Sequence, residues 1–146
     1  MSSYPSCFPK NFTTDILPDG IHMEDKFVYR VMKKGFIDRE GFISTCEEVI
    51  RGLRPRKNRD DPANPSYYST SCNEELKDAM RVVSLLSGHH PKSIVVQGVI
   101  KATECGPWQL TEERTGKKED SHIDWWVYKD SNPEKYFSEI SKNEER

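Results

Sequence analysis

A single apolar stripe between residues 74 and 86 constrains this chain most. Leu76, Ala79, Met80, Val83 and Leu86 recur at the spacing of one helix face, which predicts an amphipathic helix with Leu76, Met80 and Val83 buried. Gly88 and Pro91 supply the stop. Directly after it, "KSIVVQGVIKA" (92–102) packs Ile94, Val95, Val96, Val99 and Ile100 into a run that reads as a strand, with Gly98 as a candidate bulge. "KFVYRVMKKG" (26–35) has the same β-branched and aromatic character, and so does "SHIDWWVYKD" (121–130). "STCEEVIRGL" reads as a short helix, "GFIDREGFIST" as a hairpin or a strand entering that helix, and "NPEKYFSEISK" as a closing helix opened by Asn132 and Pro133. Strands and helices that do not alternate regularly predict an α+β fold with a mixed or antiparallel sheet and a few short helices.

At 146 residues the chain suffices for one core. The expected organisation is an irregular arm over 1–20, held down by Tyr4, Phe8 and Phe12, one domain over 21–140, and a charged tail over 141–146. A net charge of -2 excludes a strongly basic nucleic-acid binder on global grounds. No apolar run reaches membrane-spanning length, and "MSSYPSCFPK" lacks the apolar core of a signal peptide. Cys7, Cys46, Cys72 and Cys105 form no C-x-x-C pair, so the expectation is a soluble cytoplasmic protein with reduced thiols. The spacing of His89, His90, His122 and the cysteines offers no metal set, and no metal is expected.

Ser44-Thr45-Cys46-Glu47 and Ser71-Cys72-Asn73-Glu74 both fit the S-x-x-E capping box. A cap accounts for Ser44 and Ser71, but not for Tyr67, Tyr68, Ser69 and Thr70 just upstream. Extended alternation places Tyr67, Ser69 and Ser71 on one face and Tyr68 and Thr70 on the other. On a strand over 121–128, His122, Asp124 and Trp126 share a face, and a His and an Asp so placed form an acid/base pair or a satisfied polar pair. Trp125, on the opposite face, belongs to the core.

Arg30 ending an early strand after Tyr29, then Ser69-Thr70-Ser71 before a helix, then an acidic residue in a late strand resemble the signature of the ADP-ribosyltransferase superfamily. The resemblance implies NAD as substrate, with Arg30 on its phosphates and Ser69, Thr70 and Ser71 on the ribose or amide. Tyr68 or Trp126 would stack on a flat ring, and Asp124, His122 or Glu119 would supply the catalytic groups. Where the family has glutamate this chain offers Asp124, shorter by one methylene, with Glu119 in the loop before it. The expected function is therefore binding of NAD or a related nucleotide, extending to transferase or glycohydrolase activity if the site is catalytic. A protein-interaction subunit of a larger assembly is the alternative. Arg51, Arg54, Arg56, Lys57 and Arg59 raise a third option, nucleic acid contacted through residues 51–59.

Overall fold

The computed structural model describes residues 3–140, and the expected tail over 141–146 lies outside them. β1 (Lys26–Met32) pairs antiparallel with β3 (Ile94–Ile100) along its full length, Lys26 opposite Ile100 and Met32 opposite Ile94. β2 (Thr70–Asn73) joins the other edge of β1 and pairs with β5 (His122–Trp125), Ser71 opposite Asp124. β4 (Trp108–Leu110) and β6 (Phe137–Glu139) close the two edges. The spatial order is β4-β5-β2-β1-β3-β6, every neighbouring pair antiparallel. With the helices α1 (Thr45–Ile50), α2 (Leu76–Leu86), α3 (Ala102–Cys105) and α4 (Thr111–Thr115), this is a single α+β domain. Among the described residues, no helix is long and apolar enough to cross a membrane.

One face of the sheet is dry. Val28, Met32, Cys72, Val96, Ile100, Ile123 and Trp125 point there and pack with Phe42, Trp108 and Phe137. The chain leaves almost no slack at two glycines. A Cβ on Gly98 would sit 2.4 Å from the Phe137 ring, so this residue is an in-register site of close packing rather than a bulge, with Val28 and Phe137 as its pairing partners. Gly106 has φ +123°, and a Cβ there would meet the Trp126 carbonyl oxygen.

The other face is split. α2 covers β1 and β3 through Leu76, Ala79 and Val83 against Tyr29, Val31 and Val95. Beyond α2, the surface over β2 and β5 is polar. Near the N-terminus, Tyr4, Phe8 and Phe12 join Tyr68 in one aromatic cluster, with Phe12–Ile16 forming a π turn. All four cysteines are free thiols, and Cys7 Sγ lies 2.7 Å from Cys46 Sγ, where the arm meets α1.

Several local expectations are corrected by tertiary contacts. Ser44 closes the capping box with Glu47, but Ser71 caps nothing: it is a residue of β2, and α2 starts five residues later with Glu75 as its N-cap. Ser121 takes over that task, its hydroxyl accepting from the Glu75 N–H at 3.2 Å and donating to Asp78 at 2.8 Å. Met80 is 38% exposed and Leu76 and Val83 are only half-buried, because α2 meets the sheet along Leu76, Ala79 and Val83, with Ala79 alone of these fully buried and Met80 on the flank. The Gly-Phe-Ile echo makes no hairpin but a 3-10 turn, Arg39–Phe42, leading into α1. Residues 133–136 form only a 3-10 turn before the chain extends into β6, where pairing with β3 wins over helix formation.

A polar cleft over β2 and β5

The cleft has a volume of about 570 Å³ and lies over the polar part of the sheet. Its floor is Ser69, Ser71, His122 and Asp124; its walls are α2, α4 and the loop over 54–66. Strand alternation places those four side chains together, because β2 and β5 pair and Ser71 faces Asp124 across the ladder. The turn before β5 is held in an unusual shape. Asp120 (φ 49°) and Ser121 (φ 55°) are consecutive non-glycine residues in the left-handed region, a costly conformation. Asn73 Nδ2 donates to the Asp120 carbonyl at 2.9 Å and the Glu74 N–H to that of Ser121 at 2.9 Å, which fixes where His122 begins.

Asp124 is fully buried, and its carboxylate is saturated. Oδ1 accepts from Ser69 Oγ at 2.7 Å. Oδ2 accepts from Ser66 Oγ at 3.1 Å, Thr111 Oγ1 at 2.9 Å and Arg114 Nη2 at 2.9 Å. Burial pushes its pKa up, but the charge of His122 when protonated, the Ser69 hydroxyl and the Arg114 guanidinium outweigh that and hold it below the usual carboxylate range. Arg114 is itself fixed by Gln109 Oε1 at 3.1 Å and Ser66 Oγ at 2.7 Å.

His122 touches two hydroxyls, Nδ1 lying 2.6 Å from Thr111 Oγ1 and Nε2 3.0 Å from Ser71 Oγ. The network assigns its tautomer. A threonine hydroxyl has one proton, and the Asp124 carboxylate accepts it; Thr111 therefore receives from Nδ1–H. Nε2 is left bare and accepts from Ser71. Burial lowers the His122 pKa, opposed by Asp124 and Glu119 and assisted by Arg114 and Arg30, so the ring is neutral at pH 7.

The other residues singled out by the sequence fall elsewhere. Arg30 points to the opposite, dry face, over the Phe42 ring, donating to the Gly41 carbonyl at 2.8 Å and the Ser71 carbonyl at 2.5 Å. It lines a separate cavity of about 170 Å³ with Met32, Phe36, Ile43 and Leu53. Thr70 shares that dry face and donates to the Phe42 carbonyl at 2.9 Å. Tyr68 is buried against Phe8 and Phe12 with its hydroxyl on the Pro62 carbonyl, because Pro65–Tyr68 is a 3-10 turn rather than extended strand. Trp126 lies on the side of Asp124, as alternation implies, since Trp125 and Val127 both pack in the opposite core, but it is fully buried in the same aromatic cluster with Nε1 on the Pro65 carbonyl. Neither ring is free to stack on a ligand. Glu119 lines the cleft, and its backbone carbonyl accepts from the His122 N–H at 2.9 Å.

The guanidinium that reaches Asp124 is Arg114, on α4. Of the basic run, Arg51 pairs with Glu40 and Glu47, Arg54 with Asp60, and Arg56 lies over the Tyr67 ring. Arg59 and Lys118 line the cleft, are exposed, and have no ion-pair partner among the described residues. No family model, curated protein or solved structure matches the chain.

Proposed function

We propose that the cleft binds a nucleotide of the NAD class, in line with the pairing of the Ser-Thr-Ser strand with the acidic strand. The carrying observation is the balance of charge available to a ligand. Among the described residues, Asp60, Asp78, Asp120 and Asp124 are each occupied by internal donors, which leaves two cations, Arg59 and Lys118, against one carboxylate, Glu119, facing the cleft. Anionic phosphates are the ligands that such a rim attracts, and the hydroxyls of the floor suit a ribose. The roles differ from those implied by the resemblance: Arg30 is behind the sheet, and Asp124 is too enclosed to meet a sugar. Glu119 is the carboxylate at the rim that supports a charge on ribose, and Arg59 and Lys118 take the phosphates. Titration calorimetry with NAD, ADP-ribose and adenosine tests this. Binding of the first two that weakens with salt and in the Arg59→Ala, Lys118→Ala double variant is the expected result. Equal affinity for adenosine, or no heat at millimolar NAD and ADP-ribose, removes the proposal.

A second reading, a protein-interaction surface, is favoured by Phe36, Ile50 and Leu53, which are 52%, 65% and 62% exposed around the small cavity and the end of α1. Chromatographic mass measurement of wild-type and Leu53→Asp protein with candidate partners addresses it.

A further inference from the structure

We propose that Ser71 is an activated nucleophile and that this cleft transfers the acyl group of an anionic carboxylic ester to its hydroxyl. The inference goes beyond nucleotide binding and does not depend on which nucleotide, if any, the cleft takes.

The direction of the hydrogen bonds carries it. Starting from the buried carboxylate, Asp124 accepts from Thr111, Thr111 accepts from His122 Nδ1–H, and His122 Nε2 accepts from Ser71 Oγ–H. The first two directions follow from the single threonine proton and the third from the neutral state of the ring, and the series ends on the single member that is exposed and faces the cleft. A purely structural network accounts for Ser66, Ser69, Thr111 and Arg114, whose donors all converge on Asp124. It gives no reason for the series to continue outward through a ring nitrogen to a solvent-facing hydroxyl. A serine, a histidine base within hydrogen-bond reach and a buried acid that orients the base are the parts nucleophilic catalysis needs. Here a threonine hydroxyl is interposed, since His122 Nδ1 stands 3.9 Å from Asp124 Oδ1. Both strands are mid-sheet and the preceding turn is pinned, so the arrangement is pre-formed.

Ser71 Oγ attacks the ester carbonyl carbon while its proton passes to His122 Nε2. The resulting imidazolium is stabilised by Asp124 through Thr111. The bond from that carbon to the alcohol oxygen breaks, and the leaving oxygen takes the proton back from Nε2. Water then repeats the sequence on the acyl-serine and releases the carboxylic acid. Arg59 and Lys118 at the rim select esters that carry a negative charge. Ser71 and His122 are catalytic; Thr111 and Asp124 are positioning residues.

A fluorophosphonate probe tests the claim directly, because Ser71 Oγ displaces fluoride from phosphorus and the adduct is mapped by peptide mass spectrometry. The expected adduct is on Ser71, absent in Ser71→Ala, and formed about 100-fold or more slowly in His122→Gln. The charged groups that face His122 in the cleft are Asp124, Glu119 and Arg114, and Arg30 acts on it only from behind the sheet. The labelling rate should rise with pH through an apparent pKa below the ordinary histidine value, and Thr111→Val should lose that profile while Thr111→Ser keeps it. Circular dichroism melts establish that each variant is folded. A folded wild-type protein left unlabelled at Ser71, or a folded His122→Gln labelled at the wild-type rate, overturns the proposal. Turnover of an anionic aryl ester with a burst of one equivalent per chain supports it; the same turnover in Ser71→Ala overturns it.

Discussion

Neighbouring residues of β5 belong to two different kinds of interior. Ile123 and Trp125 face the dry side, fully buried among aliphatic and aromatic groups. Asp124, just as buried, faces the other side, where four donors converge on one carboxylate. Burial stabilises the first pair in proportion to area, without direction. Burial alone would expel the second, and the four converging donors reverse that balance. The dry side therefore tolerates exchange of one apolar group for another of like volume, whereas the polar side tolerates neither a lost charge nor a misplaced proton.

Trp125→Ala removes a fully buried tryptophan of the dry side and a hydrogen bond from Nε1 to the Gly106 carbonyl at 3.1 Å. We expect a loss of about 3–5 kcal/mol, read as a lower urea midpoint at unchanged slope. A loss under about 1 kcal/mol would mean that the dry side is not the main core. Asp124→Asn keeps the volume of the polar side and removes its charge. The amide presents one acceptor oxygen and two donors to a ring of donors, at an expected cost of about 1–3 kcal/mol. An unchanged melt would show that the four contacts stabilise no more than water does.

The two sides also part company in acid. The folded pKa values of His122 and Asp124 are both depressed, so in each case the unfolded chain holds more protons. Their contributions are complete above the ordinary histidine and carboxylate pKa values respectively, and are lost as pH falls through the depressed folded ones. Melting temperature should therefore decline first below the ordinary histidine pKa and again in the carboxylate range. In His122→Gln the first decline should shrink, while in Trp125→Ala it should persist on a lower baseline. An identical pH profile in His122→Gln and wild type would contradict the neutral-ring assignment.

The sequence discloses whatever repeats over a strand or a helix and hides whatever depends on a single tertiary meeting. β1, β3, α1 and α2 are legible because their apolar periods extend over several residues, and the Ser44 box because both of its halves lie within four. Ser69, Ser71, His122 and Asp124 stand out in the sequence and do share one cleft. Thr111 and Arg114 are invisible there: they sit in a run of charged residues, and only the closure of α4 onto β5 brings them to Asp124. β4 and β6 have three residues each, too few for a period to show. Ser71 is ambiguous for a physical reason. Its S-x-x-E spacing satisfies a local cap, and pairing with β5 overrides that preference.

The smallest expected effect sharpens the boundary between the two interiors, where α2 lies between the apolar surface over β3 and the cleft. The apolar period alone assigns Met80 to the buried stripe, which would make Met80→Ala cost several kcal/mol. The structure leaves it 38% exposed, whereas Ala79 beside it is fully buried. An exposed methionine gives up little contact on truncation, and alanine is the better helix former, so the two effects oppose each other. We expect a change under about 1 kcal/mol in the urea midpoint and no effect on nucleotide binding. Val83→Ala, on the packed side of the same helix, should cost more than Met80→Ala because its methyls leave a space against the sheet. If Met80→Ala proves the costlier of the two, α2 is rotated about its axis relative to this description. The walls of the cleft supplied by Arg81 and Leu85 would then turn with it.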